Sequence, residues 1–128
     1  MKFEHFALNV SDPQAMAAWY VAHLNMELVR ADTEPPFITF LRGKDGGVMI
    51  ELYSNPAGPM LDFGSFHPLS FHIAFLVEEM DSEIERLMAA GAETAVAPFA
   101  MPNGDQLAFL RDPWGNAVQL VQRAVPFG

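Results

Sequence analysis

The sequence contains no cysteine, few cationic residues and no long apolar run, and each absence excludes a class of protein. Without cysteine the chain cannot form disulfides or thiolate metal sites. It has 7 Lys and Arg residues against 16 Asp and Glu residues, a formal net charge of −9. The basic surface that nucleic acids or anionic membranes require is therefore missing. No apolar run approaches the roughly 18 residues of a membrane span. The first residues do not resemble a signal peptide, so we expect a cytoplasmic location.

The composition of the chain predicts a compact folded protein. Hydrophobic residues make up 51% of the sequence and charged residues 18%, which is typical of a globular protein. A chain of 128 residues can bury roughly two-thirds of its unfolded surface without disulfides or structural metals. We therefore expect one domain, or two small modules that share a core.

The two halves of the sequence share the same order of predicted elements. His5 and His72 open the similar strands His-Phe-Ala-Leu-Asn-Val and His-Ile-Ala-Phe-Leu-Val, about 67 positions apart. Each of these strands is followed by a predicted helix and three further strands. The pattern is a βαβββ repeat, and it predicts an α+β fold with modules at 1–53 and 70–123 joined by a loop at 54–69.

Periodicity and turn residues give approximate bounds for these elements. The predicted strands lie at 3–10, 27–32, 37–42, 47–53, 70–77, 93–97, 106–111 and 116–122. The predicted helices run from Asp12 to about His23 and from 81 to 90. Asp12 is a suitable N-cap with Pro13 in the first turn, and Asn25 and Gly91 are suitable left-handed stops.

Four polar side chains each stand opposite the bulky apolar face of a predicted strand, namely His5, Glu51, His72 and Gln119. Because side chains alternate along a strand, the apolar face packs under the helices and the polar residues share the opposite, concave face. Glu51 and Gln119 occupy the last strand of each half, about 68 positions apart. The repeat therefore supplies one imidazole and one oxygen-bearing side chain from each module.

Two imidazoles, a carboxylate and an amide oxygen suit a first-row divalent ion such as Fe²⁺, Co²⁺, Ni²⁺, Zn²⁺ or Mn²⁺. A calcium or magnesium site would not need two histidines. The alternative is that these residues are ordinary polar side chains on a half-solvated sheet face. Their repeat-related positions favour the metal site.

The same residues resemble the vicinal oxygen chelate superfamily over nearly the whole chain. The resemblance rests on the strand that begins at His5, on Glu51-Leu-Tyr, on the strand that begins at His72, and on the segment from Arg111-Asp-Pro-Trp-Gly-Asn to Gln119. It implies two βαβββ modules that form an open, cup-like β-barrel, and metal ligands at His5, Glu51, His72 and Gln119. It also implies a homodimer with shared sites, in which each site combines modules from two chains.

Within that superfamily, the ligand set most resembles glyoxalase I. This resemblance implies a lyase or isomerase acting on a hemithioacetal of a 2-oxoaldehyde and a thiol such as glutathione. A glutamate at the metal would move a proton between adjacent carbons. The glutamate of the last strand is replaced here by Gln119, whose amide cannot take up a proton. Glu51 would therefore be the catalytic base.

Two other functions are compatible with the same fold. One is a metal-free protein that binds a hydrophobic ligand, as the bleomycin-binding members do. The other is an Fe²⁺ extradiol-type dioxygenase, since two histidines and a glutamate resemble the facial triad of non-heme iron oxygenases. Neither His23 nor His67 is a convincing candidate for the additional catalytic histidine of those enzymes.

Six further residues are candidates for substrate binding, namely Arg42, Phe63, Phe66, Met101, Arg111 and Trp114. The two arginines end matching strands and could clamp a substrate carboxylate, or they could stabilise the following turns with Asp45 and Asp112. The aromatic residues and Met101 lie in loops that could cover a concave sheet.

Overall fold

The structure, a computed structural model, describes residues 1–127, and its two halves contain the same order of elements. The first half comprises β1 (His5–Asn9), α1 (Pro13–His23), β2 (Met26–Ala31), β3 (Thr39–Gly43) and β4 (Gly46–Tyr53). The second comprises β5 (Ile73–Leu76), α2 (Met80–Ala89), β6 (Glu93–Ala100), β7 (Gln106–Arg111) and β8 (Ala117–Gln122). A 3₁₀ turn, Phe63–Ser65, lies in the segment between them.

Each half folds into one four-stranded sheet with the same strand order. The first sheet has the order β1-β4-β3-β2 and the second the order β5-β8-β7-β6. The outer pair β1–β4, like β5–β8, is parallel, and the other pairs are antiparallel. The chain divides into two compact units between Leu61 and Asp62, inside the segment 54–69. The predicted α+β class and the βαβββ order of each module are confirmed.

The helix boundaries follow the local signals in the sequence. The Asp12 side chain accepts a hydrogen bond from the Ala15 backbone N–H at 3.0 Å, which caps α1. Asn25 takes φ 54° after α1, and Gly91 takes φ 108° after α2, the left-handed conformation that ends many helices. Neither helix of the described residues is long and apolar enough to cross a membrane.

The core of each unit lies between its helix and one face of its sheet. In the first unit, Met16 and Tyr20 of α1 are buried with Leu41 and Leu52 of the strands. In the second unit, Leu87 of α2 is buried with Leu110, Val118 and Leu120. Alternation leaves the opposite face of each sheet more exposed, and this is the face that carries His5, Glu51 and Gln119.

Some boundaries differ from the sequence prediction. β5 begins at Ile73, so His72 precedes the strand instead of lying within it, and its imidazole bonds to the Pro68 carbonyl four residues back. β6 continues to Ala100 rather than to residue 97, because its pairing with β7 extends to Gln106. Of the apolar linker residues, Phe63 and Phe66 contact each other, whereas Met60 and Leu61 are about half exposed.

Candidate metal centre

In the first unit the structure brings His5 and Glu51 together. β1 and β4 are parallel neighbours, and Glu51 is paired with Ala7, which lies on the same face of β1 as His5. The His5 Nε2 atom lies 3.6 Å from Oε1 of Glu51. That distance is too long for a hydrogen bond. Two ligands held about 2.1 Å from one ion at a tetrahedral angle would be separated by about 3.4 Å.

The other nitrogen of His5 is held by the residue before it. Nδ1 lies 2.8 Å from Oε1 of Glu4, and an ionised carboxylate only accepts hydrogen bonds. Nδ1 therefore carries the proton, so in a neutral imidazole Nε2, which lies 3.6 Å from Oε1 of Glu51, has a free lone pair. A carboxylate that fixes the tautomer of a histidine in this way is a common outer partner of metal-binding histidines.

His72 has the same arrangement with a different acceptor. Its Nδ1 lies 2.8 Å from the backbone oxygen of Pro68, and because a carbonyl oxygen can only accept, Nδ1 is the donor. Nε2 of the neutral ring is again left with a lone pair. Gln119 is half-buried and paired with Phe109, and the His72 ring contacts Phe109, so His72 and Gln119 lie on the same side of the second sheet.

Each unit contains, within itself, an aromatic contact to its histidine that the sequence alone did not assign to the site. His5 packs against Phe40 with ring centroids 5.3 Å apart and an interplanar angle of 87°. His72 packs against Phe109 at 5.2 Å and 78°. Each phenylalanine is paired across the sheet with the oxygen-bearing residue, Glu51 or Gln119. The repeat of Phe-Leu-Arg in the sequence was the signal that could have identified them.

A second charged residue lies in the same row as Glu51. Arg30 of β2 is paired with Phe40, which is paired with Glu51. A bulge at Val29 puts Arg30 there, because the register changes between Leu28 and Arg30 and one extra residue reverses the faces of those that follow. The pKa of Arg30 is raised, mainly by its hydrogen bonds to Asp32 and by the charge of Asp32, with a smaller contribution from Glu51.

The two predicted anion-clamp arginines have different partners. Arg42 lies on the exposed side of β3, and its Nε donates to Oε1 of Glu27 at 2.6 Å, so its ion pair is across the sheet rather than with Asp45. Arg111 donates from Nη1 to the Gly115 carbonyl at 2.9 Å and from Nη2 to the Phe66 carbonyl at 2.8 Å. Arg111 therefore holds the following turn to the segment before β5.

The remaining substrate-binding candidates lie in two loop regions. Phe63 packs against Phe66 at 5.6 Å and against Phe71 at 6.2 Å, which forms a small aromatic cluster. Trp114 is half-buried, and its backbone N–H donates to Oδ1 of Asp112. Met101 is 41% exposed at the start of the hairpin turn between β6 and β7. Their contact with a substrate stays a prediction.

The donors of the site suit a divalent transition metal, although the described residues do not by themselves form a large ligand cluster. Within residues 1–127, no group of three or more His, Cys, Asp or Glu side chains is gathered as a potential metal site. The structure gathers the His5–Glu51 pair in one unit and aligns His72 with Gln119 in the other. Both imidazoles have Nδ1 engaged and Nε2 free, which is the state a metal requires.

Comparison with known proteins identifies the family. The family model for the Glyoxalase/Bleomycin resistance protein/Dioxygenase superfamily matches residues 2–120. No curated protein matches the sequence.

Solved structures agree on the fold at low sequence identity. An antibiotic binding protein, TnmS3 from Streptomyces sp. CB03234, superposes with a TM-score of 0.72 at 21% identity, covering 97% of each chain. A glyoxalase-related enzyme from Fulvimarina pelagi gives a TM-score of 0.72 at 22% identity, over 98% of this chain and 91% of that one. Glyoxalase I from Zea mays gives 0.74 at 23% identity, over 97% of this chain and 45% of its own. From its repeat, its two matching sheets and the family match over nearly its whole length, the chain belongs to the Glyoxalase/Bleomycin resistance protein/Dioxygenase superfamily.

Proposed function

We propose that the protein is a divalent-metal-dependent lyase or isomerase of the glyoxalase I type, with Glu51 as the proton shuttle. The metal would be Ni, Co, Zn, Mn or Fe, held by His5, Glu51, His72 and Gln119. The observation that carries the proposal is the state of the two imidazoles. Each has Nδ1 bonded to an oxygen acceptor, and Nε2 of His5 lies 3.6 Å from Glu51.

The chemistry assigned to the metal is that of a Lewis acid, which polarises two adjacent oxygens of a bound substrate. Glu51 then moves one proton from a carbon to its neighbour, so the substrate is isomerised without gain or loss of atoms. Its side chain is 16% exposed and is flanked in the sheet by Phe40 and Ala7. These apolar neighbours limit access of water, which would otherwise compete for the transferred proton.

The repeat itself supplies the variant that separates ligand from base. Gln119 occupies in the second module the position that Glu51 occupies in the first. An amide keeps the shape and a ligand oxygen but cannot accept a proton. Glu51→Gln is therefore expected to retain metal and to lose proton transfer, whereas His5→Ala is expected to lose metal. Gln119→Asn, which shortens a ligand without removing a base, is the matched control for the transfer step.

The test is metal content by plasma mass spectrometry on untagged protein purified without chelator, followed by assay of the hemithioacetal of methylglyoxal and glutathione. About one transition metal per site, lost in His5→Ala, supports the centre. Deuterium placed on the substrate carbon that gives up the proton should be retained at the neighbouring carbon of the product, and loss of turnover in Glu51→Gln with metal still bound supports the role of Glu51. Absence of metal after reloading with each ion contradicts the proposal.

A metal-free ligand-binding function is the second candidate, and the exposed apolar side chains of the second module, such as Leu76, Phe99 and Met101, favour it. The likeness to an antibiotic binding protein is compatible with it. Saturable binding of an apolar ligand, unchanged by metal removal and by His5→Ala, would favour this function over the enzyme.

We further propose a homodimer in which two chains share sites, as members of this superfamily often do. Sedimentation equilibrium gives the mass directly. Mixing His5→Ala with His72→Ala chains tests the sharing, because subunit exchange would recover one intact site per heterodimer if modules of different chains combine.

A further inference from the structure

The exposed face of the first sheet holds a cation that the proposed reaction does not use. Arg30, Phe40 and Glu51 occupy one row across β2, β3 and β4. Neighbouring strands are about 4.8 Å apart, so the Cα atoms of Arg30 and Glu51 are separated by roughly 10 Å. An arginine side chain can span much of that distance over the Phe40 ring. A ligand that contacts Glu51 is therefore within reach of the guanidinium group.

The orientation of Arg30 is produced by the backbone and fixed by a neighbour. Without the bulge at Val29, residue 30 would lie on the helix side with Leu28, which is paired with the buried Leu41. After the bulge it lies on the side of Glu51. Asp32 then binds the guanidinium through two hydrogen bonds: Nε of Arg30 donates to Oδ1 at 3.1 Å and Nη2 donates to Oδ2 at 3.0 Å.

This bidentate ion pair leaves the edge of the guanidinium that includes Nη1 open to a ligand. Nε and Nη2 are used by Asp32, and in the described part of the chain the N–H groups of Nη1 are not committed to another side chain. The side chain is 58% exposed, so a ligand can approach it. A planar guanidinium binds a carboxylate through two parallel hydrogen bonds.

The second module shows what the row looks like without this charge. The bulge is repeated in β6, where the register changes between Thr94 and Val96. Val96 is paired with Phe109, and Phe109 with Gln119, so Val96 and Gln119 correspond to Arg30 and Glu51. The two modules keep the bulge and the phenylalanine and differ at both charged positions. The bulge therefore does not depend on arginine, which removes the simplest architectural reason for Arg30.

We infer that Arg30 selects substrates that carry a carboxylate in addition to the pair of oxygens at the metal. This inference rests on the proposed function, because it takes the face of Glu51 as the substrate site. The net charge of the chain is −9, which repels anions. An anionic substrate therefore needs a local cation beside the catalytic carboxylate, and Arg30 supplies it.

The test compares an acid with its neutral ester. The probe is 4-(hydroxyacetyl)benzoate, which has adjacent oxygens and a separate carboxylate, and its control is the methyl ester. Dissociation constants for both are measured by isothermal titration with Zn²⁺-loaded and metal-free protein. The variants are Arg30→Met, Arg30→Lys and Arg86→Met. The last removes the same charge from an exposed arginine that also pairs with a carboxylate, Glu83.

The wild type is expected to bind the acid about tenfold more tightly than the ester, which corresponds to about 1.4 kcal/mol. Arg30→Met should bring this ratio to about one by weakening the acid only, Arg30→Lys should retain part of it, and Arg86→Met should leave it unchanged. A wild-type ratio below about two, a ratio unchanged in Arg30→Met, or no binding of either probe overturns the inference.

Metal content of the same samples separates this result from the proposed function. If the protein binds metal but Arg30 does not make it prefer the acid to the ester, the inference is contradicted and the proposed metal centre still stands. If the protein takes up no metal but still prefers the acid to the ester through Arg30, the metal centre is contradicted and Arg30 is supported as an anion-binding residue of a ligand-binding protein.

Discussion

Removal of the Glu4 carboxylate should weaken metal binding, although Glu4 is not one of the proposed ligands. Its Oε1 accepts a hydrogen bond from Nδ1 of His5 at 2.8 Å, which leaves a lone pair on Nε2, the nitrogen that lies 3.6 Å from Glu51. In Glu4→Ala the imidazole can place its proton on either nitrogen and can rotate. Part of the population then presents an N–H instead of a lone pair to the metal.

The expected loss of metal affinity in Glu4→Ala follows from the position of Glu4. Outer partners of ligating histidines typically contribute 10–100-fold to metal affinity. The Glu4 side chain is 66% exposed, so water can replace much of the lost hydrogen bond and the effect should be at the low end. We expect about tenfold weaker binding, or about 1.4 kcal/mol. Glu4→Gln keeps a neutral acceptor and should lie between wild type and Glu4→Ala.

Zn²⁺ affinity measured by competition with a chromophoric chelator at pH 7 gives the dissociation constants. Glu34→Ala is the matched control, since it removes one exposed carboxylate from the same module and should leave the affinity within about twofold if only net charge is altered. Nitrogen-15 spectra of the metal-free histidines should show His5 mainly as the Nδ1–H tautomer in wild type and a mixture in Glu4→Ala.

Equal affinities of wild type and Glu4→Ala would refute the reasoning, as would a loss of the same size in Glu34→Ala. A change of the His5 tautomer without a change in affinity would show that Glu4 orients the ring but that the ring does not bind the metal.

Three further predictions concern stability. Hydrogen bonds from the Ala124 backbone and from Arg123 lower the pKa of Asp105. The ionised carboxylate therefore stabilises the folded protein fully above the ordinary carboxyl pKa of about 3.9, and this contribution is lost as the pH falls through the lowered pKa. Urea unfolding of Asp105→Asn should accordingly depend less on pH below 5 than that of wild type. Leu52→Ala, at a fully buried position of β4, should lower the free energy of unfolding by about 2–5 kcal/mol. The control Leu28→Ala, at an exposed position of β2, should lower it by less than about 1 kcal/mol. Asn9→Leu removes the side-chain bonds that hold Asn55; it should cost about 1–3 kcal/mol and increase proteolysis at 55–59, and unchanged cleavage would contradict it.

Where the strands are regular, alternation correctly predicted which face of the sheet carries the candidate ligands. His5 and Glu51 lie on neighbouring strands, and the period of two along each strand is enough to place both on the exposed face without knowledge of the pairing. The pairing in the structure then brings them to 3.6 Å. The repeat added His72 and Gln119 by correspondence, and their shared face is supported by Phe109, which contacts the His72 ring and is paired with Gln119.

The same rule gives no correct assignment where the backbone departs from a regular strand. Arg30 follows a one-residue bulge, and a bulge reverses the face of every residue after it. No signal in β2 identifies this bulge from sequence alone. Glu4 precedes the first residue of β1, so alternation, which assigns adjacent residues to opposite faces, does not apply to it. Arg30 and Glu4 can be assigned to the site only when the strand register and the first residue of β1 are known from the structure.

The two modules share the pairing of one row of residues and differ in the charge of that row, and under the proposed function this difference has a physical consequence. The rows Ala7–Glu51–Phe40–Arg30 and Ala74–Gln119–Phe109–Val96 have the same registers and the same bulge. In the proposed shared site, a base and a cation from both rows would bring four charges together, and two equivalent carboxylates would compete for the transferred proton. With the base and the cation confined to the first module, the second can supply a neutral ligand and apolar surface. The proposed metal would then have a single proton acceptor beside it, Glu51, and both halves of the proton transfer would pass through that one carboxylate.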